Sequence, residues 1–113
     1  MVMAKEKSRA EVYDELRRRF PSIGPPDLLV LTPGVSALIR IGGPGAPVEV
    51  LDTTELGRII REFGEFSEDN DPWGEHDFGS FTFSGEKLFW KVDDYAGQDG
   101  YRYVLTVLLA DEY

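Results

Sequence analysis

The feature that most constrains the fold is the alternation in 80-SFTFSGEKLFWKVDD-94. Phe81 and Phe83 alternate with Ser80, Thr82 and Ser84, the period of two that marks a half-buried strand. Gly85-Glu86 reads as a two-residue hairpin loop with glycine first, as a type II′ turn requires. The return strand then puts Leu88, Trp90 and Val92 on one face and Phe89, Lys91 and Asp93 on the other. Further on, 101-YRYVLTVLLA-110 carries two patterns at once. Tyr101, Val104, Leu105 and Leu108 form a helical stripe, but the β-branched Val104, Thr106 and Val107 favour a third strand buried on both faces. A C-terminal β-meander over residues 78–110 results.

The upstream half holds two helices. Ser8-Arg9-Ala10-Glu11 is a capping box, and Tyr13, Leu16 and Phe20 recur at helical spacing, predicting a helix over 9–20. Arg17, Arg18 and Arg19 fall in its last turn, where cations suit the negative end of the dipole. Leu28 to Thr32 reads as a strand closed by a turn at Pro33-Gly34. Leu38–Ile41 and Val48–Leu51 flank GGPGAP as a hairpin. Asp52 is placed to cap a second helix, whose stripe is Leu56, Ile59, Ile60 and Phe63. The expected architecture is α+β: one domain over 1–113, an antiparallel sheet of five to six strands, and both helices on one face. Residues 1–7 are expected to be flexible. Phe89, on the far face, then needs cover, which leaves a homodimer open.

The 113 residues contain no cysteine, so disulfides, thiolate metal sites and cysteine nucleophiles are excluded. No leader-like apolar run opens the chain and none approaches the ~20 residues that span a bilayer. A cytoplasmic protein without membrane attachment is expected. The net charge of −9 is uneven: residues 1–20 carry +2, leaving −11 on the rest. Between Glu62 and Glu86 there are eight acidic side chains and no Lys or Arg. Such a surface repels phosphate backbones, so direct nucleic-acid binding is disfavoured.

The densest part is the acidic connector 65–79, with Glu68, Asp69, Asp71, Glu75, Asp77 and the single histidine, His76. Read from Asp69 as an EF-hand loop, Asp71 and Gly74 fit, but Trp73 stands at position five and Ser80 at twelve, where oxygen ligands are required. A looser divalent-metal site from Asp69, Asp71, Glu75, His76 and Asp77 needs the loop to fold back on itself, because strand neighbours point apart. Turn chemistry explains more of the residues: Asn70, Asp71, Pro72 and Gly74 are turn formers, with Trp73 as the anchor that pins the connector to the core. No catalytic triad or P-loop is specified; GGPGAP lacks the lysine and following helix.

Three ordered motifs, 69-DNDPWGEHDFGSF-81, 89-FWKVDDY-95 and 104-VLTVLLADEY-113, resemble a family of small bacterial proteins known only as a domain of unknown function. Its members are typical of alphaproteobacterial genomes and plasmids. LTPG at 31–34 and the Leu56–Phe66 helix also fit, so the resemblance covers most of residues 28–113. Asp94 departs from the family's tyrosine, the 96–100 loop is shorter, and the GGPGAP hairpin looks like an insertion. The resemblance implies a compartment and no activity.

The expected function is that of a non-enzymatic, cofactor-free protein-binding module. Glu68, Asp69, Asp71, Trp73, Glu75, Asp77 and Tyr95 would present an acidic rim with aromatic anchors to a basic partner. A nucleic-acid-handling enzyme is such a partner, and a nucleic-acid mimic of the anti-CRISPR or anti-restriction kind is the corresponding inhibitor. The alternative is a divalent-metal module or metal-dependent hydrolase centred on Asp69–Asp77.

Overall fold

In the computed structural model, which describes residues 7–42, 45 and 50–113, three helices pack on one side of a four-stranded sheet. The expectations for residues 1–6, for most of GGPGAP and for a strand starting at Val48 fall outside the described residues. The elements are α1 (Arg9–Arg18), β1 (Leu28–Leu31), α2 (Pro33–Ile39), β2 (Arg40–Ile41), β3 (Val50–Leu51), α3 (Thr54–Glu62), β4 (Phe78–Phe83), β5 (Glu86–Asp94) and β6 (Tyr103–Leu109). Short 3₁₀ turns at Gln98–Gly100 and Ala110–Glu112 follow β5 and β6. The class is α+β, as expected, but the sheet is smaller and a third helix is present.

The main sheet has the order β1-β6-β5-β4, and β2-β3 form a separate two-stranded ladder. The meander β4-β5-β6 is antiparallel, with Phe81 opposite Leu88 and Trp90 opposite Val107. β1, however, runs parallel to β6, with Leu28 opposite Val104 and Leu31 opposite Val107. The expected all-antiparallel sheet of five to six strands is therefore corrected to four strands with one parallel edge. β6, the ambiguous segment, is the inner strand between β1 and β5, and Val104, Leu105, Val107 and Leu108 are all buried.

The helix α1 begins on the expected capping box: Ser8 Oγ accepts the Glu11 N–H at 3.2 Å. Its face buries Tyr13, Leu16 and, beyond its end, Phe20. The helix missed in the sequence is α2, because Pro33-Gly34 reads as a turn. Proline is equally at home in the first turn of a helix, where its missing N–H costs nothing. Glu112, 78 residues away, completes this start: Oε2 accepts the Gly34 N–H at 3.1 Å, and Oε1 accepts the Thr32 hydroxyl at 2.6 Å. Val35 and Ile39 of α2 join Leu56 and Ile60 of α3 and Leu16 of α1 in one cluster over Leu88, Trp90, Leu105 and Val107. Three helices thus cover one face, not two.

The β4–β5 hairpin corrects a second expectation. Phe83 pairs with Glu86, so the loop residues are Ser84 and Gly85, with φ of 50° and 76°. Two left-handed residues make a type I′ turn, not a type II′ turn with Gly85 first. Glycine adopts this conformation freely; serine does not.

Asp27, just before β1, is buried. Its carboxylate accepts from Arg19 Nη2 at 2.7 Å, from Arg102 Nη2 at 2.9 Å and Nε at 3.2 Å, and from the Tyr103 N–H at 3.2 Å. Burial alone would raise its pKa, but the Arg102 and Arg19 hydrogen bonds and the Arg102 charge outweigh it and hold the pKa below the ordinary 3.8. The clamp ties the end of α1 to the start of β6.

Two outcomes are expected in chemical denaturation. Ser84→Asn, which tolerates the left-handed region, raises stability by about 0.5 kcal/mol. Asp27→Asn lowers it by about 2 kcal/mol at neutral pH. A carboxylate whose folded pKa is depressed stabilises above its unfolded value and loses that contribution as pH falls through the folded one. The gap between wild type and Asp27→Asn therefore narrows below about pH 4.

Candidate functional site

The acidic connector runs from the end of α3 to β4, and its tip is the turn Asp71-Pro72-Trp73-Gly74. The Gly74 N–H donates to the Asp71 carbonyl at 3.0 Å. Pro72 presets the second position of the turn, and Gly74 and His76 take φ of 62° and 56°. The Asp71 side chain folds back to accept the Glu75 N–H at 3.1 Å and the His76 N–H at 3.2 Å. Asn70 does the same one step earlier, accepting the Ser67 N–H at 2.8 Å and donating to the Glu65 carbonyl at 2.9 Å. The turn-forming residues do what their chemistry suggests.

His76 fastens this turn to the domain. Its ring stacks on Phe66, with centroids 3.7 Å apart and planes 3° from parallel. Nδ1 lies 2.9 Å from Asp14 Oδ1; since a carboxylate only accepts, the imidazole donates there. Nε2 is 3.6 Å from Asp71 Oδ2. Asp14 in turn pairs with Arg17, its neighbour one turn along α1.

Arg17 lies in the last turn of α1, as its sequence position suggests, and is buried there, 2% exposed. Its guanidinium lies over Trp90, 4.7 Å from the ring centroid, and over Phe66, 5.4 Å away. Nη1 donates to the carbonyls of Ile60 at 3.2 Å and Phe63 at 3.1 Å, two acceptors at the C-terminal end of α3. Burial pulls its pKa down, and the charge and hydrogen bond of Asp14 oppose that; arginine remains protonated regardless. Arg17, Asp14, His76 and Asp71 thus form a polar chain from the core to the base of the turn. Asp14, Arg17 and Phe66 were not among the site candidates. The one available signal was a carboxylate on the same helical stripe as Tyr13 and Arg17.

Trp73 is not the anchor. It is 85% exposed at the tip of the turn, and Asp71 and His76 hold the connector instead. Glu68 and Asp69, earlier on the connector, are exposed, Glu75 and Asp77 are half-buried, and Asp71 is buried at 9%. Tyr95 is 37% exposed just past β5. The Asp77 carbonyl accepts the Val92 N–H at 2.8 Å, so Tyr95 and the connector leave the sheet at the same end. Of the residues considered for a metal, Asp71 and His76 meet, at 3.6 Å. Among the described residues no group of three or more His, Asp or Glu side chains is placed to hold a metal ion.

A second cluster was also missed. Arg18, Arg19 and Arg102 line a cleft of about 340 Å³ against Val12, Leu16 and Tyr103. In the sequence, Arg102 is 83 residues from Arg19, and nothing local joins them.

These observations define a single α+β domain with helices on one face of a mixed four-stranded sheet and an acidic turn braced from inside. No helix among the described residues is long and apolar enough to cross a membrane. A family model described as a protein of unknown function, DUF3768, matches residues 31–103, and the chain belongs to that family. The match runs from the last residue of β1 to the first of β6 and includes the whole connector. No curated protein and no solved structure matches.

If Asp71 and His76 brace the turn, Asp71→Ala and His76→Ala should each cost about 1–3 kcal/mol of stability. Trp73→Ala should stay within about 0.5 kcal/mol of wild type. Urea titrations that rank Trp73→Ala as the most damaging of the three would refute the bracing role.

Proposed function

We propose that this protein is a non-enzymatic binding module whose connector engages a basic surface on a partner protein. One observation carries the reading: a tryptophan held 85% exposed on a turn that is fixed by buried groups. An indole costs free energy in water, and its exposure on a rigid mount is the geometry of an interface anchor. The mount limits the ordering entropy lost on binding. Exposed Glu65, Glu68 and Asp69 precede Trp73 on the same connector and would supply its negative rim, with no Lys or Arg between residues 62 and 86. Such a rim favours a cationic partner and speeds encounter at low salt. Tyr95 adds a second aromatic at the same end of the sheet. Asp71 drops out of the contact set, because its carboxylate is spent on backbone amides. A protein surface that ordinarily grips phosphates, such as that of a nucleic-acid-handling enzyme, is the partner class whose charge fits best; the module would then act as an inhibitor by mimicry.

The test is capture from host extract with wild type, Trp73→Ala and the double variant Glu68→Gln/Asp69→Asn as parallel baits. Retention of one protein should fall at least about tenfold for Trp73→Ala, which corresponds to the 1.4 kcal/mol expected of a central aromatic anchor. It should weaken with added salt as the Debye length shrinks from ~10 to ~3 Å, and the charge variant should lose most of that salt dependence. Equal retention by all three baits, or retention indifferent to salt, refutes the reading.

A further inference from the structure

The cleft beside the end of α1 runs against the charge of the molecule. In a chain of net charge −9, three arginines from two distant segments, Arg18, Arg19 and Arg102, meet at one opening of about 340 Å³. That volume lies within the range of small-ligand sites. The buried Asp27 carboxylate fixes two of them by hydrogen bonds of 2.7 and 2.9 Å. Both guanidiniums nonetheless remain about half exposed, at 46% and 54%. Arg102 also lies over the Tyr103 ring, 5.2 Å from its centroid, and Tyr103 meets Tyr13 edge to face at 5.4 Å. Among the described residues the Arg18 side chain makes no hydrogen bond or ion pair, so its five guanidinium N–H donors are free. Arg19 uses only one nitrogen on Asp27, which leaves Nε and Nη1 available. The opposing carboxylate on the rim, Glu15, is engaged by Lys7 at 2.9 Å. Val12, Leu16 and Tyr103 supply the apolar wall.

We infer that this cleft is an anion-binding site that takes a small molecule with an oxyanion, carboxylate or phosphate, on an apolar stem. Arginine forks match both oxyanions in two-point geometry. Asp27 holds two forks in place before any ligand arrives, so little rotamer entropy remains to be lost on binding. One carboxylate beneath three guanidiniums leaves a net positive site; without Asp27, two long side chains would have to be ordered by the ligand itself. The wall of Val12, Leu16 and Tyr103 selects for an apolar stem over a bare ion. The site shares no residue with the Trp73 turn and does not depend on the binding reading above.

The experiment is an NMR titration of the full chain, following backbone amides and arginine Nε–H signals. The probes are phenyl phosphate, benzoate, inorganic phosphate and, as a neutral control, benzyl alcohol. Saturable shifts at Arg18, Arg19, Arg102 and Tyr103 are expected with phenyl phosphate, with benzoate, or with both, and the stronger of the two identifies the oxyanion. Arg18→Ala, whose side chain is exposed and unpartnered, keeps the fold and should weaken binding about tenfold. Arg102→Lys retains the charge but not the fork, and should weaken it at least about threefold. Trp73→Ala should leave it unchanged. The inference is overturned by any of three results. These are no saturable shift with either stemmed anion up to about 20 mM, well above the ~1 mM range of a weak site; an unchanged affinity in Arg18→Ala; or equal binding of inorganic and phenyl phosphate.

Discussion

A charged guanidinium in the core needs partners for its charge, and Arg17 finds them through its two terminal nitrogens, while its Nε stays buried without a hydrogen bond. Taking it out of water is costly enough that its neighbours have little freedom. The Asp14 carboxylate, the Ile60 and Phe63 carbonyls and the faces of Trp90 and Phe66 surround it. Those groups come from four parts of the chain: α1, the end of α3, the connector and β5. Arg61 answers from the other side, donating from α3 to the Phe20 carbonyl past the end of α1 at 2.9 Å. The two helix ends therefore cap each other with arginines, the cation being favourable at each negative pole. Because Asp14 also receives His76, the position of the acidic turn is set by the same requirement.

Most of the fold was legible because it is written in local periods. The alternation of Phe81 and Phe83, the 88–90–92 face of β5 and the Ser8–Glu11 box each depend on neighbours within a few residues, and all three were read correctly. What was missed depends on distance. The parallel pairing of β1 with β6 joins residues 28 and 104, and no local pattern distinguishes a parallel edge from an antiparallel one. The start of α2 at Pro33 relies on Glu112. The Asp27 clamp and the arginine cleft join residue 19 to residue 102. For the site, the turn residues announced themselves, but the inner bracing did not. Trp73 carried two readings, a pin to the core and an exposed aromatic, and it is exposed; His76, a ligand only in the metal alternative, stacks on Phe66. The residues that decide between these, Asp14 and Phe66, could not be placed beside His76 from their sequence positions.

The same arrangement separates stability from surface chemistry. Asp71 and His76 face inward and hold shape; Glu68, Asp69 and Trp73 face outward and are free of structural duty. On the opposite side of the sheet Phe78, Phe89 and the exposed Tyr113 form an aromatic cluster, with centroids 5.0 and 5.6 Å apart along the chain of contacts. Val104 and Leu108 are buried beneath this face but stand outside the helix-side cluster. The sheet thus has an apolar layer on each side, and among the described residues the helices roof one of them.

The placement of β6 has a consequence for how the polypeptide is made. The strand that holds the sheet together, touching β1 on one edge and β5 on the other, is also the last of the six to leave the ribosome. Until it emerges, β1 has no neighbour and the β4–β5 hairpin alone is marginal in water. The helices lack the part of their floor that Leu105 and Val107 supply. Folding of this domain therefore waits for β6, and a chain cut short before residue 103 lacks the strand that joins β1 to the β4–β5 hairpin.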